Sequence, residues 1–431
     1  MLLQSSEGNR GEEAVNEMKV LPSRRVISAL GTATNGFLFS TTPIILRILQ
    51  SLCSNLDDSG NSFIASGWLY GSVVGILLFG YVGDTLGYYK GMIVATTMTF
   101  MGIILGSLSL FLSPTVIPFV YGFSRIIVGL GCGGSIPIAY TRTSSGKESS
   151  RAVSRTSSIL LLLQSGSWLL GPVLFHVALR LFGDSPLAIR RVLQYILRLH
   201  ALYLSRVVTS SIPSLVSLIL LIRSSNTIVY TPLDVDAARV SVPPPAPKPF
   251  SFVPCFLATG VTWLLYDFTS YGNTFFSRIL LDSVVAIPDT PLGATVPLIV
   301  AGLFGVPGQL AAHALLRRWS VQGLQRFGFF LLGALFLACS LAIGVFKVEA
   351  ELPRRLLLLL YHLTFFFSTC GPGSTTYILP SLLYPQKELS LYHGICTCMG
   401  KLGGALGASL FPLLIRKIGV SAVAAGAASD P

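Results

Sequence analysis

Trp263, Asp267 and Tyr271 recur every fourth residue inside the stretch Thr262-Trp263-Leu264-Leu265-Tyr266-Asp267-Phe268-Thr269-Ser270-Tyr271-Gly272-Asn273. Each four-residue step drifts only about 40° around a helix, so the three side chains share one face within about 12 Å along the axis. The surrounding segment, 254–281, is long and apolar enough to span a bilayer. A carboxylate at that depth costs about 2.5–3.5 kcal/mol on insertion scales, and such residues usually face a polar cavity. Thr259, Ser270 and Asn273 add polarity to the neighbourhood. The chemistry on offer is hydrogen-bonding and proton-linked recognition of a small polar solute. The plainer reading is a buried Asp bonded to a neighbouring helix with packed aromatics. The first is favoured, because lipid offers an unpaired carboxylate no solvent.

An element that holds a carboxylate in lipid must belong to a membrane protein, and the composition agrees. Of 431 residues, 52% are hydrophobic and only 11% charged, with a mean hydropathy of +0.70; soluble domains carry about 25% charged residues. Repeated apolar stretches of about 20 residues define an all-α polytopic membrane protein. The net charge of +12 would suggest nucleic acid in a soluble chain. Here the basic residues sit mainly between spans, where they anchor loops on the cytoplasmic side, so no nucleic acid is expected as partner. The seven cysteines lie mostly in apolar segments and read as small core residues. Cys396-x-Cys398 lacks a second ligand pair, and the five histidines show no ligand spacing. No metal, cofactor or enzymatic nucleophile–base pair is expected.

Eleven spans follow in order. Residues 1–25 form a polar cytosolic tail rather than a cleavable signal. Spans one to six fall at 26–47, 62–82, 91–112, 115–140, 156–182 and 199–222. A hydrophilic connection, 223–250, ends in the Pro-rich run Val242-Pro243-Pro244-Pro245-Ala246-Pro247-Lys248-Pro249, an extended linker between two bundles. Spans seven to eleven fall at 254–281, 290–316, 324–346, 356–383 and 391–415. The expected domains are therefore 26–222, a six-helix bundle, and 251–431, a bundle of five or six helices. Span one, with Thr32, Thr34, Asn35 and Ser40, suits a helix lining a cavity. The loops carrying Lys90, Arg142, Lys147, Arg151, Arg155, Arg317, Arg318, Arg326 and Lys387 alternate with ones holding Asp57, Asp58, Asp282 and Asp289. That asymmetry puts the N-terminus and the linker in the cytoplasm. Arg190, Arg191 and Arg198, assigned to the loop between spans five and six, run against the rule, as does Arg354-Arg355.

Several motifs carry a family resemblance. Between spans two and three, Gly80-Tyr81-Val82-Gly83-Asp84-Thr85-Leu86-Gly87 resembles the cytoplasmic signature G-x-x-x-D-x-x-G of the major facilitator superfamily. Its glycines permit a tight turn, and its acid can meet the end of a neighbouring helix. Span four, Arg125-Ile126-Ile127-Val128-Gly129-Leu130-Gly131-Cys132-Gly133-Gly134-Ser135-Ile136-Pro137, resembles R-x-x-x-G-x-G-x-G-G-D-Y-P of the phosphate:H+ symporters in that superfamily. Gln164 matches that family's span-five glutamine, and Thr262 to Tyr271 looks like its T-W-F-L-L-D-I-A-F-Y. Cys370-Gly371-Pro372-Gly373-Ser374-Thr375-Thr376 is similar to F-G-P-N-x-T-T. His393-Gly394-Ile395-Cys396-Thr397-Cys398-Met399-Gly400-Lys401 resembles the start of H-G-I-S-A-x-x-G-K-x-G-A.

The resemblance implies a two-bundle fold of 11 to 12 transmembrane helices with pseudo-two-fold related halves, in the plasma membrane, monomer plausible. It implies uptake of inorganic phosphate with protons through alternating access. Gln164, Trp263, Asp267, Tyr271, Ser374 and Lys401 would bind substrate, and Asp267 would couple the proton. Gly80, Asp84, Gly87, Arg125 and Arg151 would gate the conformational change. Lys401 lies about ten residues from the nearest end of its helix, which argues against snorkelling to the interface. The chain also departs from the pattern. The family's two span-one acids are absent from Thr32-Ala33-Thr34-Asn35-Gly36-Phe37-Leu38, its Asp-Tyr pair is Ser135-Ile136, its span-ten asparagine is Gly373, and a twelfth span is missing or truncated. These departures leave Asp267 as the retained proton-linked group. Transport of another anion, uniport, or a receptor-like relative that does not transport are the alternatives.

Overall fold

The computed structural model describes residues 24–53, 58–142, 149–183, 189–196, 251–282, 287–345 and 351–414. They are helical almost throughout. The first half contains α1 (Arg24–Leu52), α2 (Asp58–Thr85), α3 (Tyr88–Ser109), α4 (Ile117–Arg142) and α5 (Ser150–Phe182), then the helical stretch 189–196, here α6. In the second half α7 is continuous through Phe252–Phe256, a π-helical turn at Leu257–Val261, and Thr262–Asp282. Next come α8 (Pro291–Leu315) and α9 (Val321–Val345). Then α10 is broken into Glu351–Cys370 and Pro372–Leu383, and α11 spans Leu389–Leu414. The spans expected from hydropathy coincide with these helices, apart from the sixth, 199–222, which lies outside the described residues. The linker 223–250, the N-terminal tail and any further span after 414 lie outside the described residues.

Residues 189–196 are helical, so Arg190 and Arg191 belong to a helix rather than to a loop. Ile189, Val192, Leu193 and Ile196 pack into a core with Ile44, Ile48 and Leu110. The Arg190 guanidinium donates to the Leu110 carbonyl near the end of α3. The charge serves one of the unpaired carbonyls every helix end leaves, and counting it as a loop marker misplaces it.

Eight helices among the described residues are long and apolar enough to cross a membrane. Their outer faces carry large apolar side chains such as Tyr70, Leu77, Met101, Leu108, Leu303 and Phe330, which are exposed and suit a hydrocarbon surround. α1 and α11 are not in that group. Both are rich in Gly, Ser and Thr and bury polar residues, among them Thr34, Asn35, Ser40, Thr397 and Lys401. Each turns this polar face to its neighbours, while Val26 of α1 and Leu402, Leu406 and Leu410 of α11 stay exposed.

The packing repeats between halves. α2 and α3 each pack on α4, and α1 on α5; α8 and α9 each pack on α10, and α7 on α11. Adding six to each helix number in the first set gives the second, which is the relation a pseudo-two-fold axis produces. The halves meet along α5 with α8 and α2 with α11, a pair of contacts the same axis interchanges. Small residues make the close crossings. A Cβ on Gly71 or Gly75 would fall within 2.2 Å of an α4 carbonyl, and one on Gly403 or Gly407 within 2.2 Å of an α7 carbonyl.

Candidate functional site

Two local irregularities shape the middle of the second half. The π-helical turn precedes Trp263 and Asp267, inserting the wider turn often found beside functional positions. α10 breaks at Gly371, where a Cβ would lie 2.6 Å from the Gly328 Cα and where the next residue is Pro372. The break leaves Thr369 and Gly373 beside a cavity of about 130 Å³ between the halves.

Lys401 and Asp267 are the charged residues on this cavity's wall. Both are buried, with Lys401 Nζ 4.0 Å from Asp267 Oδ2. Nζ also donates to the Tyr271 hydroxyl at 3.2 Å and lies 5.6 and 5.8 Å from the Tyr271 and Trp68 ring centres. That is within cation–π range. Opposite them, α1 and α5 contribute Asn35, Gln164 and Trp168. Gln164 Oε1 accepts from the Tyr140 hydroxyl at 3.1 Å, which leaves its NH2 as a donor. Gln309 of α8 accepts from the Ser374 hydroxyl through Oε1 at 3.1 Å, while its buried Nε2 has no partner. One lysine, one carboxylate and several neutral donors thus converge on a space that suits a small anion.

Of the expected binding residues, the structure brings Gln164, Asp267, Tyr271 and Lys401 to one cavity. Trp263 and Ser374 stand behind it. Trp263 is fully buried against Tyr377 and His393, its Nε1 unpartnered; Ser374 orients Gln309 and donates to the Thr369 carbonyl. A Cβ at Gly400 would lie 2.6 Å from Trp263 Nε1 and 3.0 Å from Asp267 Oδ2, so the glycine lets indole and carboxylate sit side by side. Gly400→Ala is expected to lower uptake severalfold, with thermal stability reduced by about 1–3 kcal/mol for the overpacking. Unchanged uptake with unchanged stability would show that this packing does not position Asp267.

Two departures from the family pattern meet other residues of this chain. Asn35 Nδ2 donates to Ser135 Oγ and to the Cys132 carbonyl, each at 3.1 Å, so the neutral span-one and span-four positions pair with each other. A side chain at 373 would collide with the Tyr266 hydroxyl at 2.6 Å. That phenol lies at the cavity wall and shares a 3.1 Å hydrogen bond with Ser368 Oγ. Tyr266 therefore fills the space an asparagine at 373 would take. Asn35 comes from the span expected to line a cavity, while Tyr266, Gln309 and Tyr377 are cavity residues that the motif reading did not single out. Gln309, a lone amide inside an apolar span, carried the same signal as Asp267.

The cavity is walled at both ends. Toward the turn between α2 and α3, Tyr140 packs on Tyr377 and stacks parallel to His393. Beyond it, both Asp84 carboxylate oxygens accept backbone N–H groups at the start of α11, from Ser390 at 3.0 Å and Leu391 at 2.9 Å. Gly80 permits the approach, since a Cβ there would lie 3.0 Å from the Ser390 carbonyl oxygen. Gly87 turns the chain at φ 78°, a backbone conformation that favours glycine. Gly80 and Asp84 therefore join the halves, and Gly87 turns the chain beside them. Arg125 lies elsewhere, buried in α4 beyond the aromatic wall of Phe39, Trp68, Trp168 and Tyr271. Arg151 is exposed at the start of α5, near Arg25 and Arg155. At the opposite end Arg47 pairs with Asp289, across the two halves.

Comparison with known proteins agrees with this architecture. Residues 30–145 match the family described as sugar (and other) transporter. Over 94% of its length the chain is 25% identical to the inorganic phosphate transporter PT2 of Toxoplasma gondii, covering 68% of that protein. It is 23% identical to the probable inorganic phosphate transporter 1-9 of Arabidopsis thaliana, covering 89% of this chain and 81% of the relative. Among solved structures, the proton:xylose symporter XylE superposes with a TM-score of 0.65 at 15% identity, covering 93% of this chain and 90% of XylE. The major facilitator superfamily transporter FucP, in its outward conformation, gives 0.64 at 13% identity, covering 93% of both chains. The structural likenesses speak for the fold, and the sequence similarity extends through both halves. With its paired bundles and its α2–α3 turn, this chain has the two-bundle fold of the major-facilitator-type transporters, and its sequence is similar to inorganic phosphate transporters of protists and plants.

Proposed function

We propose that the chain takes up inorganic phosphate together with protons, by alternating access around the Asp267–Lys401 cavity. The observation that carries this reading is the 4.0 Å approach of one buried lysine and one buried carboxylate, ringed by neutral donors from both halves. With Asp267 charged, the pair is neutral and a second negative charge is opposed. Two like charges about 4 Å apart repel by roughly 4 kcal/mol at an effective dielectric near 20. A proton on Asp267 removes that opposition, leaves Lys401 as an unbalanced cation, and turns the carboxyl into a donor. Proton and anion then favour each other's binding, which is the requirement for symport. The similarity to proteins named inorganic phosphate transporters along most of the chain supports phosphate as that anion.

In this scheme Asp84 and the Tyr140–Tyr377–His393 cluster close one mouth while the other opens, and rocking of the halves exchanges them. The halves are 26–222 and 251–431, joined by 223–250. The distribution of Lys and Arg supports a cytoplasmic N-terminus and a cytoplasmic linker, and the plasma membrane suits an uptake system. Both walls of the cavity come from one chain, so a monomer suffices.

The substrate is tested by counterflow. Proteoliposomes loaded with unlabelled phosphate are expected to take up external radiolabelled phosphate transiently, and liposomes loaded with chloride are not. Equal signals from both would remove phosphate as the substrate.

A further inference from the structure

A second chamber, of about 210 Å³, adjoins the central cavity and shares with it Phe39, Trp68, Trp168, Ser270 and Tyr271. It lies on the side of the α1–α2 and α7–α8 connections, as its lining by Thr42, Pro43 and Leu298 indicates. We infer that Arg125, on the wall of this chamber, is the cation of a second anion site that receives a phosphate-class oxyanion before it reaches Lys401. The identity of the anion as cargo rests on the proposed function; the site itself does not.

Three observations support it. Arg125 is 3% exposed, deep in an apolar helix, and a guanidinium does not give up its charge there. Its Nη2 donates to the Thr42 hydroxyl at 2.5 Å, while Nε is buried without any partner. No carboxylate among the described residues is paired with it. A buried charge with one neutral partner is costly, and structural arginines at such depth pair with acids or with several carbonyls. A planar fork with free N–H groups matches an oxyanion in geometry as well as charge.

The aromatic wall gives the site its place in the path. Phe39 stacks on Trp168 with centroids 5.4 Å apart and meets Trp68 and Tyr271 edge-on at 5.1 and 5.6 Å. Lys401 lies against the Trp68 and Tyr271 rings, and Arg125 lines the chamber those rings also bound. The two cations thus flank one aromatic partition. An anion entering from the α1–α2 end meets Arg125 first and passes to Lys401 when the partition shifts.

The test is equilibrium dialysis of radiolabelled phosphate against the full-length protein in detergent, with folding checked by thermal unfolding. Lys401→Gln, which disables the central cavity, is expected to retain phosphate binding. Adding Arg125→Gln is expected to weaken that remaining binding roughly tenfold or more, the scale of losing charge-assisted hydrogen bonds. Loss of all binding in Lys401→Gln alone overturns the proposal, as does residual binding indifferent to Arg125→Gln. Should the glutamine variant not fold, Arg125→Lys in the same background keeps the charge and removes the fork; a severalfold change in affinity is expected, and no change overturns the site. Failed counterflow with this binding intact would remove the transport reading and leave the Arg125 site standing.

Discussion

Asp267→Asn is expected to abolish accumulation of phosphate driven by a proton gradient while leaving the protein folded. Asparagine has nearly the shape of aspartate, so the packing that Gly400 allows around residue 267 and Trp263 is kept. What is lost is a group that can take up and release a proton. The variant cavity has Lys401 as a standing cation and binds the anion whether or not a proton has arrived. Gradient-driven accumulation should fall at least tenfold, since a loss of about 1.4 kcal/mol in coupling already gives that factor. Exchange of phosphate in counterflow should persist. Accumulation at the wild-type level would sink the coupling role of Asp267.

The second large effect is expected from Asp84→Ala. The Asp84 carboxylate accepts two backbone N–H groups at the first turn of α11, where the helix dipole favours a negative charge. Hydrogen bonds to a charged group contribute about 1.5–3 kcal/mol each when buried. Asp84 is half-buried, so roughly 2–4 kcal/mol for the pair is a discounted figure. Removing it should shift the equilibrium between the two closed ends by one to two orders of magnitude or more. Spin labels on the exposed residues Leu86 and Lys387 would report the change as a longer distance population in Asp84→Ala. An unaltered distance distribution would show that the contact does not hold this end shut.

Much of this arrangement is legible in the chain. Periodicity put Trp263, Asp267 and Tyr271 on one face, and hydropathy located ten of the spans to within a few residues, because a bilayer imposes length and apolarity on each helix independently. Lys401 was recognisable because no helix end is near. Other features depend on partners far along the chain. Trp263 shares a face with Asp267 yet turns to Tyr377 and His393, a choice made by α10 and α11 rather than by the local sequence. The tie from Asp84 to Ser390 spans the two halves, and a loop motif announces an acid without naming its partner. The helix at 189–196 is hidden in the sequence by arginines that read as loop residues, one of which donates to the Leu110 carbonyl. Gly373 reads in the sequence as a lost polar group, but the Tyr266 hydroxyl occupies the space it leaves.

The neutral Asn35–Ser135 pair lies in the two stretches, 32–38 and 125–137, whose resemblance to the symporter pattern lacks its acids, and it gives the coupling question its edge: Asp267, the carboxylate on the cavity wall, carries the proton, or phosphate moves without one. Radiolabelled phosphate uptake into proteoliposomes, with and without an inward proton gradient, decides this most directly. The Asp267–Lys401 account predicts uptake that rises with the gradient and collapses when an ionophore dissipates it. Phosphate uptake indifferent to the gradient would contradict it and make the protein a phosphate uniporter or exchanger.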